Sequence, residues 1–365
     1  MRRRYEQAVD LGDTGTIFNV GVLLAGRDPD EARQRYEQAA NLGYTDAMVN
    51  LGVLLVGSDP VEARRRFEQA VDLGDTGAMN NLGVLLADSD PVEARRRFEQ
   101  AANLGDTGAM FNLGVLLAGS NPGEARRRYE QAANLGHARA MFNLGVLLER
   151  GDPGAARRRY EQAANFGHSG AMNNLGAMLA GSDPGEALRR YEQAANLGHS
   201  GAMFNLGVLL EGSDPSEALR RYEQAANLGH TDAMTNLGAM LEDSDRDKAI
   251  GWYTKAAAAG GPVAMNNLAE LLINAGDLAG ARRWADSLAL SLTPEGRIEE
   301  LIAEQLRSSL IEIERMLGRP DDEIDRQRPG GSRQAADRRA TPRRPVRPVT
   351  EPRHIPRRWG QLGGQ

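Results

Sequence analysis

The sequence predicts an all-α protein, an α-solenoid of stacked helix–turn–helix repeats. Three observations predict it. An aromatic column, Tyr5, Tyr36, Phe67, Phe98, Tyr129, Tyr160, Tyr191, Tyr222 and Tyr253, recurs every 31 residues without a slip. An asparagine column, Asn19, Asn50, Asn81, Asn112, Asn143, Asn174, Asn205, Asn236 and Asn267, keeps the same period. Its members are followed two places later by Gly from Gly21 to Gly238, then by Ala269. A helix-start signal, Asp-Pro or Asn-Pro, recurs from Asp28-Pro29 to Asp214-Pro215 and degrades to Asp245-Arg246. A fixed period of this size marks a repeat architecture whose units bury each other's apolar faces.

Residues 199–229 show how each unit reads. A first helix is expected over about 201–211, because Ala202, Met203, Leu206, Val208, Leu209 and Leu210 form a wide apolar stripe. Gly212 follows it. Asp214 is placed to cap a second helix, Pro215 suits its first position, and Glu217 stands where a capping-box partner belongs. That helix is expected to run to about Leu228, to stop at Gly229, and to turn Ala218, Leu219, Tyr222, Ala225, Ala226 and Leu228 inward. The glutamate recurs at Glu31, Glu62, Glu93, Glu124 and Glu186 and is replaced by Ala155 in one unit.

Three regions are expected. Residues 1–290 form the repeat array, a half repeat followed by nine helix pairs. The opening half repeat matches only a second helix, which leaves two readings open: that end meets a partner, or the chain is truncated or starts from a misassigned position. Residues 291–318 form a helix opened by Thr293-Pro294-Glu295, with Ile298, Leu301, Ile302, Leu306, Leu310, Ile313 and Leu317 on one face. It is expected to cap the last repeat, with self-association as the alternative. Residues 319–365 read as a disordered Arg/Pro-rich tail. From Arg326 to Gln365 there are eleven Arg and two acids, +9, against −6 for the whole chain, which leaves −15 on residues 1–325.

Composition narrows the function classes. With no Cys, disulfides and thiolate metal sites are excluded. No apolar run reaches the ~18 residues of a membrane helix, and none follows Met1 as a signal peptide would require, so a cytoplasmic location is expected. The basic residues are almost all Arg, with Lys only at Lys248 and Lys255, a skew that points to a GC-rich bacterial genome. The sequence contains no phosphate loop, no His-Glu-x-x-His and no nucleophile elbow. No enzyme, cofactor or metal site is expected. The recurrent His137, His168, His199 and His230 read as copied turn residues, in the place held earlier by Asp13, Tyr44, Asp75 and Asp106. The Arg64–Arg66 run and its copies read as a solvated surface partly paired with Glu, as in Glu62–Arg66 and Arg64–Glu68.

The pattern Ala202…Leu206-Gly207…Glu217-Ala218…Tyr222…Ala225 resembles the tetratricopeptide repeat superfamily and its Sel-one-like branch. Residues 247–270, with Lys248-Ala249, Trp252-Tyr253, Lys255-Ala256-Ala257, Ala264 and Leu268, are closest to that branch. The 31-residue unit is a short variant. The resemblance implies a right-handed superhelix that binds peptides or proteins in a concave groove lined by the first helices.

The column preceding each Asn is the variable one on that face, and it supplies the candidate groove residues: Phe18, Asn80, Phe111, Phe142, Asn173, Phe204 and Asn266. Exposed aromatics beside amides suit an extended or helical peptide. Two readings stay open for the Phe side chains, ligand anchors or packing against the neighbouring repeat. The Asn column itself reads as structural, bonding between repeats. The groove lacks the basic residues that would clamp a C-terminal carboxylate. The expected role is a protein-interaction scaffold. The alternative is nucleic-acid or anionic-surface binding through the basic tail.

Overall fold

The structure, a computed structural model, describes residues 13–290; the half repeat, the expected helix of 291–318 and the tail lie outside the described residues. Among the described residues there are eighteen helices and no strand. The first helices of the repeats are α1 (Thr14–Leu24), α3 (Thr45–Leu55), α5 (Thr76–Leu86), α7 (Thr107–Leu117), α9 (Ala138–Leu148), α11 (Ser169–Leu179), α13 (Ser200–Leu210), α15 (Thr231–Leu241) and α17 (Pro262–Asn274). The second helices are α2 (Pro29–Asn41), α4 (Pro60–Asp72), α6 (Pro91–Asn103), α8 (Pro122–Asn134), α10 (Pro153–Asn165), α12 (Pro184–Asn196), α14 (Pro215–Asn227), α16 (Arg246–Ala258) and α18 (Leu278–Leu290). They fall into two compact units, residues 13–171 and 172–290, divided within α11.

Each boundary has a local cause. The Asp214 carboxylate accepts the Glu217 amide at 3.0 Å and Pro215 opens α14, so two of the orphan donors of a helix start are accounted for. Asp245 caps α16 the same way through the Lys248 amide (3.1 Å), although Arg246 has replaced proline. That arginine instead donates to the Leu271 carbonyl of the next repeat at 3.0 Å. The expected capping box does not close. The Asp214 amide is already bonded to the Leu210 carbonyl at 2.7 Å, closing the turn between the helices. The Glu217 carboxylate turns instead to Arg220 and Arg221.

At its other end α14 stops in a left-handed residue, Gly229 (φ +86°). Gly229 donates to the Ala226 carbonyl (2.9 Å) and His230 to the Ala225 carbonyl (3.0 Å), the two bonds of a Schellman motif. His230 is also the N-cap of α15. One residue therefore closes one helix and opens the next, which leaves a very short connection between repeats. Leu228, expected to face inward, is 57% exposed, because it stands at the helix end outside the repeat contact.

The Gly and aromatic columns are two sides of one contact. A Cβ added at Gly207 would lie 2.5–3.0 Å from ring atoms of Tyr222. The same near-overlap recurs for Gly52 with Phe67 and Gly145 with Tyr160. In the eight pairs that carry this glycine, the aromatic ring of the second helix lies directly on the backbone of the first helix, where a Cβ would collide with it. Around it, Phe204, Ala218, Tyr222, Ala225 and Ala226 pack with Ala233 and Leu237 of the following first helix as one buried cluster. Small Ala side chains on the facing surfaces let the helices approach closely while Tyr fills the remaining volume.

Candidate functional site

The first helices carry the expected groove column, and its members divide. Phe18, Phe111, Phe142 and Phe204 are 7%, 2%, 6% and 0% exposed. All four rings are packed inside the array. Each lies against its own repeat's tyrosine and the cap of the next repeat. Phe18 meets Tyr36 and Tyr44, with ring centroids 5.9 and 5.1 Å apart. Phe111 stacks on His137 at 4.9 Å, Phe142 on His168 at 4.5 Å and Phe204 on His230 at 4.8 Å. Asn173 is also interior, 1% exposed. Asn80 and Asn266 are half-buried and reach the surface.

The neighbouring Asn column bonds between repeats, as its regularity implied. Asn236 Nδ2 donates to Tyr222 Oη at 3.2 Å, and that hydroxyl donates to Glu211 at 3.1 Å. Asn267, Tyr253 and Glu242 repeat the chain at 3.4 and 2.6 Å. Where the variable column is Asn, the bond is redirected. Asn112 donates to Asn80 Oδ1 and Asn205 to Asn173 Oδ1, both at 2.9 Å. Tyr191, the tyrosine preceding Asn205, packs in a cluster with Ala180, which stands where three other repeats place Glu149, Glu211 and Glu242. Its hydroxyl is buried without a hydrogen-bond partner among the described residues, and burial pushes it up to about 12.

Asn80 lines a cavity of about 370 Å³ in the first unit, which spans α3, α5 and α7. Its walls include Asp46, Val49, Asp75, Thr76 and Asp106, and no Lys or Arg is among them. Two of the aspartates have a structural duty. Asp75 accepts the Ala78 amide and Asp106 the Ala109 amide, each through Oδ1 at 2.6 Å. Each leaves a second carboxylate oxygen. Burial raises the Asp106 carboxyl above its ordinary value, amide bonds from Ala109 and Gly108 oppose this, and the Asp75 charge adds to the rise. Asn80 Oδ1 is held by Asn112, so its amide nitrogen is the group left to donate. The cavity therefore presents carboxylate acceptors, one amide donor and an apolar contact at Val49. Asn266, by contrast, donates to Glu270 of its own helix at 3.1 Å.

The recurrent histidines are helix caps, a role the sequence reading missed. Nδ1 of His137, His168, His199 and His230 accepts the amide three residues on, at 3.2, 3.2, 3.0 and 3.3 Å. The signal was present, since aspartate occupies the same place in earlier repeats. Histidine is simply not among the usual capping residues. The arginine runs pair as expected: Arg66 to Glu62 at 2.7 Å and Arg64 to Glu68 at 2.8 Å. Where Ala155 replaces the glutamate, Arg159 turns to Gln162 at 3.0 Å. Among the described residues no His, Asp and Glu side chains gather into a metal-holding group, and no helix is long and apolar enough to cross a membrane.

The sequence matches the family described as Sel1 repeat in seven segments: residues 15–44, 76–106, 107–137, 138–168, 169–199, 200–230 and 231–261. Two solved structures share the fold. A protective antigen of uropathogenic Escherichia coli strains, displaying an SLR fold, is 24% identical with a TM-score of 0.58; the match covers 78% of this chain and 70% of that one. A Sel1 repeat protein from Oxalobacter formigenes is 23% identical with a TM-score of 0.51; the match covers 58% of this chain and 99% of that one. No curated protein matches the chain.

Proposed function

This chain belongs to the Sel1-repeat family, and from that premise we propose that it binds a protein or peptide along the face made by its first helices, with the Asp46–Asn80–Asp106 cavity as a contact point. Proteins built from Sel1 repeats are generally protein-interaction scaffolds. The observation that carries the reading here is the cavity. It lies on the first-helix side of three successive repeats and offers acceptors, a donor and an apolar patch to a chain laid across them. The groove is accordingly assigned to Asn80 and its polar neighbours. The phenylalanines act behind them, holding adjacent repeats in register. This reading gives the protein no reaction of its own.

The test is a charge swap against a partner captured with the wild-type chain. The double variant Asp46→Arg, Asn80→Arg should weaken binding at least tenfold while far-ultraviolet circular dichroism stays helical. Arg65→Glu with Arg96→Glu, on the exposed face of the second helices, should leave it unchanged. Binding that survives the first pair and is lost with the second would overturn the proposal.

A further inference from the structure

Four consecutive first helices, α9, α11, α13 and α15, open on a histidine whose Nδ1 accepts a backbone amide. An imidazole accepts at Nδ1 only when it is neutral and carries its proton on Nε2. The second proton goes to Nδ1, the atom the cap uses. Protonation and capping therefore exclude each other. The resulting cation would also sit at the positive end of the helix dipole. In three of the four the ring is stacked on the preceding repeat's counterpart, Phe111 to His137, Phe142 to His168 and Phe204 to His230. Earlier repeats solve the same problem with Asp13, Asp75 and Asp106, whose side chains cap through carboxylate oxygens.

We propose that the histidine caps at His137 and His230 make their repeat junctions pH-sensitive, stable at neutral pH and weakened by mild acid, next to aspartate-capped repeats. The charges facing the histidines set the details. His137 faces Arg139 of its own helix and His168 of the next repeat, and both disfavour its cation. His230 faces Asp232 of its own helix, which favours the cation, and His199 of the preceding repeat, which opposes it. Burial is the largest influence on both, holding His137 down to about 4 and His230 below its ordinary value. A folded-state value below the unfolded one means that the unfolded chain binds more protons. The stability that the His137 and His230 caps give is full above about pH 6.5 and is lost as pH falls below it, toward about 4 for His137. Glu93 behaves alike but lower. Arg96 and Arg97 hold Glu93 down to about 2, so its contribution fades only below the ordinary carboxylate range. The device does not depend on which partner the chain binds.

Thermal unfolding of the full chain at pH 7.5 and pH 5.0 tests it. The comparison is with His137→Asn and His230→Asn combined, since asparagine caps without titrating. The wild type should lose about 2–4 °C for each of these two caps between the two pH values, and the variant at most half of the wild-type loss. Equal losses would overturn the proposal. Should the variant not fold, nitrogen NMR of the wild type decides. The Nε2–H tautomer, with His137 and His230 midpoints below 6.5, supports the device. An Nδ1–H tautomer, or midpoints at or above 6.5, contradicts it.

Discussion

Tyr222 and Tyr191 stand in the same column but have different surroundings. The Tyr222 hydroxyl accepts from Asn236 and donates to Glu211. The Tyr191 hydroxyl is buried with no partner, because Ala180 replaces the glutamate and Asn173 has taken Asn205. Tyr222→Phe should therefore cost about 1–2 kcal/mol, the price of a buried donor and acceptor losing their partner, and Tyr191→Phe should be neutral within ~0.5 kcal/mol or stabilising. Urea unfolding midpoints of the two variants check this. The asymmetry was not legible in the sequence. The tyrosine and asparagine columns were visible there, and Glu149, Glu211 and Glu242 were not singled out; which groups bond depends on a competition decided by one side chain, Asn or not, in the column before the asparagines. The burial of Phe111, Phe142 and Phe204 was hidden for a related reason. A ring on a first helix is covered or exposed according to the cap of the next repeat, here an imidazole laid across it.

At the scale of the helix pair, the short period works because the helices touch through glycine. Gly207→Ala would gain about 1 kcal/mol in helix propensity. It would also drive a methyl into the Tyr222 ring, 2.5 Å away at its nearest atom. Overpacking of this kind typically costs ~1–3 kcal/mol, so the net effect should be destabilising. Gly212→Ala is the control, since nothing lies within 4 Å of an added Cβ there. Chemical denaturation should separate the two by about 1 kcal/mol or more. The helix boundaries were legible to within one or two residues from Asp-Pro and Gly, because caps are local chemistry. The partner of Glu217 was not. A glutamate three residues into a helix signals a capping box only while the cap's own amide is free, and here the turn has bonded it to the Leu210 carbonyl. Leu228 misled for the opposite reason: it is apolar and in register, yet it lies past the last residue the neighbouring repeat covers.

At the scale of the molecule, the fold follows from repetition, and so does the difficulty of reading function. Identical columns specify how repeats pack. The columns that vary are legible in the sequence as a set, but only three-dimensional context divides them between interior and surface. Asn80 reached a cavity, while Asn173, identical in type and register, became a buried bond to Asn205. The acidic wall beside Asn80 comes from Asp75 and Asp106, read from the sequence as turn residues, and from Asp46, which the sequence did not single out. The central claim is that a protein partner lies along the first-helix face. Site-specific photo-crosslinking tests it most directly, with the photoreactive residue placed at Asp46 or Thr76 and, for comparison, at the exposed Arg65 or Arg96 of the second helices. The account predicts partner adducts from Asp46 and Thr76 and none from Arg65 or Arg96. Adducts confined to Arg65 and Arg96 would contradict it.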